Sequence, residues 1–501
     1  MGLAAIAITD HGGLYGMVRA HLAGERLGVR TLIGAELTLA PLAGIATPDP
    51  ELLTERGATR AVRREESGRH HLTVLVRDAA GYRNLCRLLS LSNLAGRKGR
   101  AAVDWETLAE HAGGLYAFSG CKRLGLIPRL LREGRARDAE TVAGRLRAVF
   151  ARAAPPEGSR PATTPPGPER FLLELQNHLV PEDAWVCGEL AELSRRTGIA
   201  CVATNNVHLR TAADKPVQDV LVCIRERLTL DAADAAGHLS PNAERRLKTR
   251  AEMEAALLGP TAADGRPAIA LEPWLSALYR EALDRTVAIA ADCDWKLDLR
   301  AHRFPGFRVP DGETPQTHLR RLCLEGAETR YPVMTETVMA RIDRELDVIA
   351  KTGLAEFFLI NWDLMRFARE QRIPGQGRGS AADSIVAYLL GITRVDPVRH
   401  KLLFERFLHE EQRSTPDIDI DFASSRREEV IRYIYDTYGY ERTGMVANVV
   451  TFRSRMAIRE AGRAMGFSDA TLARLAGSLE SRYPEEAPAA ARGDVTDSEP
   501  A

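Results

Sequence analysis

Residues 417 to 422 read Asp-Ile-Asp-Ile-Asp-Phe, and no other stretch restricts the chain as tightly. A period of two sends Asp417, Asp419 and Asp421 to one face of a strand and Ile418, Ile420 and Phe422 to the other. The apolar face must pack on a core, and the opposite face is then a row of carboxylates. Aspartate is a poor strand former, and like charges on one face repel, so the row calls for cations. With a rise of about 3.3 Å per residue, carboxylates two apart are rooted roughly 6.6 Å from each other. Their side chains can converge on two cations about 3.5–4 Å apart, the separation used for in-line displacement at phosphorus. The plainer alternative is a solvated edge strand that uses charge to prevent aggregation.

A second feature lies one helix and one connection earlier. Gly375, Gly377 and Gly379 surround Arg378, Ser380 follows, and Ala381 to Leu390 reads as a helix. A glycine turn leading into a helix N-terminus offers backbone N–H groups and the positive end of the dipole to an anion, with Arg378 and Ser380 as further donors. Alone, such a triplet more often marks an ordinary loop. Next to an acidic strand it points to phosphate chemistry with metal ions.

The order GQGRGSAADS, ITRVDP, LLFERFL, PDIDIDF closely resembles the palm of the bacterial C-family polymerases, the DNA polymerase III alpha subunits. The glutamine of GQGRGS, the DP-x-R that follows the helix and the segment RREEVIRYIYDTYG resemble the error-prone, damage-tolerant branch. The resemblance implies a polymerase-beta-like nucleotidyltransferase palm acting as a DNA-directed DNA polymerase of translesion type, in replication and repair. It implies that Asp419 and Asp421 are two of three catalytic aspartates holding two magnesium ions. It assigns Arg378, Gly379 and Ser380 to the triphosphate-binding turn, and makes Asp417 an outer acid. Template-primer DNA and dNTPs are the implied partners, joined by a sliding clamp and other repair or replication proteins through regions further C-terminal.

The N-terminal half has a different pattern. Apolar strands at Ala4–Thr9, Thr31–Ile33, His70–Val76, Leu115–Phe118, Phe171–Leu175 and Ala200–Thr204 alternate with helical stretches, which predicts a parallel α/β unit with ligands at the strand ends. His11, Glu36, His71, Cys121 and His208 fall at such ends, and as histidine, carboxylate and thiolate they suit a hydrolytic metal site. ITDHGGLYG and the spacing from His11 to Glu36 resemble the polymerase and histidinol phosphatase (PHP) domain, implying a PHP-type β/α barrel and those five residues as zinc or manganese ligands. Two departures weaken the site. The family's opening His-x-His would lie before Met1, and Asn206 stands where metal-binding members carry Asp. Little zinc or manganese is therefore expected.

Length and composition fit this division. A chain of 501 residues predicts two or three domains. Lys plus Arg equals Asp plus Glu at 68 each, so net charge favours no partner, and any nucleic-acid contact needs a local basic stripe. Seven cysteines without CxxC read as reduced thiols, and without a long apolar run the expectation is a cytoplasmic protein with no membrane contact. The expected domains are a PHP domain at 1–294 with a disordered Pro-rich loop at 152–170, the first part of a palm at 295–450, the start of a thumb at 451–483 and a disordered tail at 484–501. No further aspartate after Asp421 sits in an apolar strand, so the chain is expected to be a fragment without the third catalytic aspartate and fingers, and not to polymerise DNA alone. A PHP-type metal-dependent phosphoesterase and an inactive DNA-binding fragment are the alternatives.

Overall fold

The computed structural model describes residues 1–46, 70–95, 101–152, 169–259, 271–298, 305–409, 416–446, 448 and 450–478. The expected Pro-rich loop, apart from its ends, and the expected tail at 484–501 lie outside the described residues. The chain divides into two compact units, one from the described parts of Met1–Leu297 and Val449–Ala501, the other from Asp298–Asn448.

In the first unit the order is β1 (Ile6–His11), α1 (Met17–Leu27), β2 (Thr31–Leu39), β3 (His70–Val76), α2 (Ala79–Ala95), α3 (Trp105–Glu110) and β4 (Leu115–Phe118). It continues with α4 (Leu126–Arg132), α5 (Ala136–Arg152), β5 (Phe171–Leu175), α6 (Pro181–Thr197), β6 (Cys201–Ala203), α7 (Lys215–Glu226), α8 (Leu230–Ala235), α9 (Arg250–Leu258) and α10 (Pro273–Asp292). The strands form one sheet in the order β1-β2-β3-β4-β5-β6. Successive strand residues alternate between two cores. Val74, Leu115, Ala117, Phe171, Leu173 and Cys201 enter one, while Leu75, Tyr116, Phe118, Leu172 and Val202 enter the other beneath Ile289 and Ala290 of α10. Burial on both faces is why these strands read as unbroken apolar runs.

The expected parallel arrangement holds for β1–β2 and for β4–β5–β6, but β3 runs antiparallel to both neighbours. The misreading has a physical cause. A helix between two strands usually signals a parallel crossover, yet α2 and α3 in series return the chain to the end it left, where Val76 pairs with Leu115 and Arg77 N–H donates to Gly114 C=O at 3.0 Å.

The second unit comprises α11 (Pro315–Arg330), α12 (Glu336–Thr352), α13 (Ala355–Glu370), β7 (Gly375–Arg378), α14 (Ile385–Leu389), β8 (Asp419–Phe422) and α15 (Arg427–Tyr438). Cys323 of α11, Ile342, Leu346 and Ile349 of α12, Phe358 of α13 and Ile385 to Ala387 of α14 share one core. The aromatic run from Phe357 therefore belongs to a helix face, as core. The chain then enters α16 (Ser454–Ala464) and α17 (Asp469–Gly477), where Ala464 joins Val222 and Cys223 of α7 in the first unit. Among the described residues no helix is long and apolar enough to cross a membrane.

Candidate functional site

Two sites emerge, one in each unit. In the first, the parallel register sets His11 opposite Glu36, and the reversed β3 sets His71 opposite Thr38, two residues along β2 from Glu36. Reversal is what brings the start of β3 to the end of the sheet where β1 finishes. One ligand atom from each of His11, Glu36 and His71 lies within 4.8 Å of the other two. His11 Nδ1 is 3.4 Å from Glu36 Oε1, the same oxygen contacts His71 Nδ1, and the two imidazoles stand 5.1 Å apart. Glu36 and His71 are nearly buried, whereas the His11 side chain is 58% exposed.

The cavity measures about 500 Å³, and Cys121, Asn206 and His208 line it as well. All five sequence-nominated ligands thus share one chamber, but among the described residues only His11, Glu36 and His71 are close enough to hold a single ion. Sequence reading missed Arg123, Arg225 and Arg245 in the same wall. Their charge matters, because burial and then Arg225 and Arg123 lower the His11 pKa. Burial, with His11 and Arg123 behind it, takes His71 to about 3, and burial followed by Arg245 takes His208 to about 4. Neutral imidazoles leave ring lone pairs for a metal. Three converging N and O donors suit a divalent ion such as zinc or manganese. Arg123, two residues past Cys121, could have been suspected; Arg225 and Arg245 come from a distant helix and loop that no local pattern links to the strands.

The second site is a two-stranded ribbon. β7 and β8 are antiparallel, with Gln376 opposite Asp421, Gly377 opposite Ile420 and Arg378 opposite Asp419. The period-two reading holds at each position: Asp417, Asp419 and Asp421 are exposed, while Ile418, Ile420 and Phe422 pack on the core. Arg378 Nε lies 3.2 Å from Asp421 Oδ2, both side chains 64% exposed, so this pair contributes little to stability and is free to rearrange. Exposed carboxylate oxygens on one face are the donors a hard cation such as magnesium takes.

The glycine segment differs from expectation. Gly375–Arg378 is a strand, Gly379–Asp383 a 3-10 turn, and the helix behind it has only five residues. Gly377 is required inside the strand by a close approach: its N–H donates to Ile392 C=O at 2.7 Å, and a Cβ there would sit 2.8 Å from that oxygen. Gly379 begins the turn at φ +70°, a conformation that favours glycine. The N–H groups at the start of α14 are also occupied, Ala387 N–H by Ser384 Oγ and Val386 N–H by the buried Glu345 carboxylate. The expected helix-terminus contribution is therefore absent, and the anion donors that remain exposed are Arg378 at the end of β7 and Gly379 and Ser380 of the turn.

Comparison with known proteins also divides the chain in two, with the second match running past residue 448. Residues 1–156 match the PHP domain, and residues 317–496 match the bacterial DNA polymerase III alpha NTPase domain. Similar curated proteins include the error-prone DNA polymerase of Symbiobacterium thermophilum, 35% identical over 95% of this chain and 39% of that protein. That of Mycobacterium tuberculosis is 37% identical over 93% of this chain and 38% of its own length. The DNA polymerase III subunit alpha of Treponema pallidum is 36% identical over 93% of this chain and 36% of its length. The chain spans about two fifths of the length of these relatives.

Proposed function

Since the chain belongs to the bacterial DNA polymerase III alpha family, joining a PHP domain to that family's NTPase domain, we propose that it serves DNA-directed addition of dNTPs, of the error-prone, translesion type. The observation that carries this reading is the β7–β8 register, which puts Arg378 across from Asp419 and within reach of Asp421. Phosphate donors and metal-binding acids thereby share one exposed face. On this reading the second unit is the palm, the first a PHP-type barrel, and template-primer DNA and dNTPs the ligands.

Asp419 and Asp421 would hold magnesium, which when bound assists attack by the primer hydroxyl and neutralises charge on the leaving pyrophosphate. Arg378 leaves Asp421 for the triphosphate, Gly379 lets the backbone approach the phosphate oxygens, and Ser380 donates its hydroxyl. Asp417 precedes the paired rungs and stays outside this set. Calorimetric titration of the chain with magnesium-dATP tests the assignment. Asp419→Ala and Asp421→Ala should each weaken binding at least about tenfold, and Asp417→Ala by less than about threefold; equal losses at all three positions would contradict it.

The convergence of His11, Glu36 and His71 supports a second activity of the first unit, metal-dependent phosphoester hydrolysis. Cys121 and His208 would border the substrate there, with Arg123 and Arg225 offering charge to its phosphate.

A further inference from the structure

Glu345 lies on the buried face of α12 with Ile342, Leu346 and Ile349, and none of its surface is exposed. A carboxylate in such a place requires a reason, because burying it without partners is costly. Apart from Arg341 on its own helix, its partners all belong to one segment. Ser384 Oγ donates to Glu345 Oε2 at 2.8 Å, Val386 N–H donates to the same oxygen at 3.3 Å, and Ile385 N–H also reaches the carboxylate. One turn earlier on α12, Arg341 approaches Glu345 Oε1 at 3.2 Å and donates through Nη2 to Asp383 C=O at 2.9 Å.

Two side chains of a single helical turn thus hold four consecutive residues, Asp383 to Val386. Those residues close the 3-10 turn that Gly379 and Ser380 open. At its other end the turn is held by the Gly377 N–H bond to Ile392. Gly379 and Ser380 themselves are exposed, so their shape is set by what holds the two ends.

We propose that Arg341 and Glu345 are positioning residues that fix the Gly379–Asp383 turn in the form that receives a nucleotide triphosphate. The proposal rests on the reading of Arg378, Gly379 and Ser380 as the triphosphate-binding residues. Neither Arg341 nor Glu345 touches the nucleotide; each acts through the backbone of the turn. Loss of either lets the turn sample other shapes, and affinity falls because ordering then accompanies binding. Metal binding to the β8 carboxylates does not depend on this contact, which gives the test its internal control.

The experiment measures magnesium-dATP affinity, manganese affinity without nucleotide, and the urea midpoint for the full chain and three variants, all in a Glu36→Ala background that removes the metal trio of the first unit. Glu345→Ala should weaken magnesium-dATP about tenfold, and Arg341→Met about fivefold. Glu345→Gln keeps an oxygen for the Ile385 and Val386 N–H groups and should recover to within about threefold of wild type. Manganese affinity should stay unchanged in all three. Wild-type nucleotide affinity in both Glu345→Ala and Arg341→Met, or parallel losses of nucleotide and manganese, would overturn the proposal. Should Glu345→Ala not fold, Arg341→Met decides the matter, its side chain being partly exposed at 22%. A wild-type chain that binds no magnesium-dATP removes the polymerase reading and this proposal together. Wild-type binding with indifferent variants removes this proposal alone.

Discussion

Asp363 on α13 is, like Glu345 and Asp383, a buried carboxylate of the Asp298–Asn448 unit, and removing it should cost more than any surface change nearby. Its side chain is 7% exposed and accepts three hydrogen bonds, from Arg366 at 2.6 Å, Tyr433 at 2.8 Å and Tyr438 at 3.0 Å. Both tyrosines belong to α15, the helix that follows β8, so the carboxylate docks that helix on α13. Their hydroxyls are held in the protonated form, as burial and the neighbouring Asp363 raise both pKa values. Asp363→Ala removes the acceptor of both phenols, although Tyr433 Oη keeps a long contact from Arg366 Nη2 at 3.4 Å. Arg366 loses less, because Glu370 is a second partner at 2.8 Å and the guanidinium reaches water. Hydrogen bonds to a charged group are worth about 1.5–3 kcal/mol each. Two such losses, softened by the stacked Phe367–Tyr433 pair that keeps one ring in place, give about 3–5 kcal/mol, the range for breaking a buried charged contact. Asp363→Asn, with one acceptor oxygen left, should cost about half as much. Trp362 is the one tryptophan between residues 298 and 448 against four in the rest of the chain, so urea unfolding followed by fluorescence, with those four replaced by phenylalanine, reports on this unit. A cost for Asp363→Ala below about 1 kcal/mol, or Tyr438→Phe exceeding it, would refute the reasoning.

The Glu345 carboxyl, pushed up to about 7 by burial, binds its proton more tightly folded than unfolded. Its stabilising contribution is full below about pH 4.5 and lost as pH rises through 7, roughly 3 kcal/mol in all. Unfolding midpoints at pH 5 and pH 8 should differ more in wild type than in Glu345→Gln, and equal pH dependence would contradict this. In the first unit, elemental analysis after loading with zinc or manganese and desalting should find no more than one ion per chain. Glu36→Ala should abolish it and Cys121→Ala leave it, whereas two firmly held ions would require ligands beyond the trio.

How much of this was legible in the residues depended on the kind of signal. The acidic ribbon was, because alternation with a period of two maps directly onto exposed and packed faces. The strands of the first unit were also visible as apolar runs, but such a run is blind to direction, so the reversal of β3 was missed. That reversal explains why His71, at a strand's head, joins His11 at another's tail. Glycines misled for a related reason: a turn former read in isolation hides a strand position forced by Ile392. Glu345 left a signal that was not used, an acid in line with Ile342, Leu346 and Ile349 on an otherwise apolar face. Contacts assembled from distant segments, such as Arg225 and Arg245 around the histidines, left none.

The ribbon's two faces also answer to substitution in separate ways. On the proposed reading, a substitution on the outer face changes the charge offered to the metal directly. Drift on the inner face changes the height at which the acids ride, because Ile420 lies across from Gly377, whose own approach to Ile392 leaves no slack. Trading Ile420 for a smaller or larger aliphatic residue would lower or lift Asp419 and Asp421 together, with no acid replaced. A lineage could thereby retune the site from beneath.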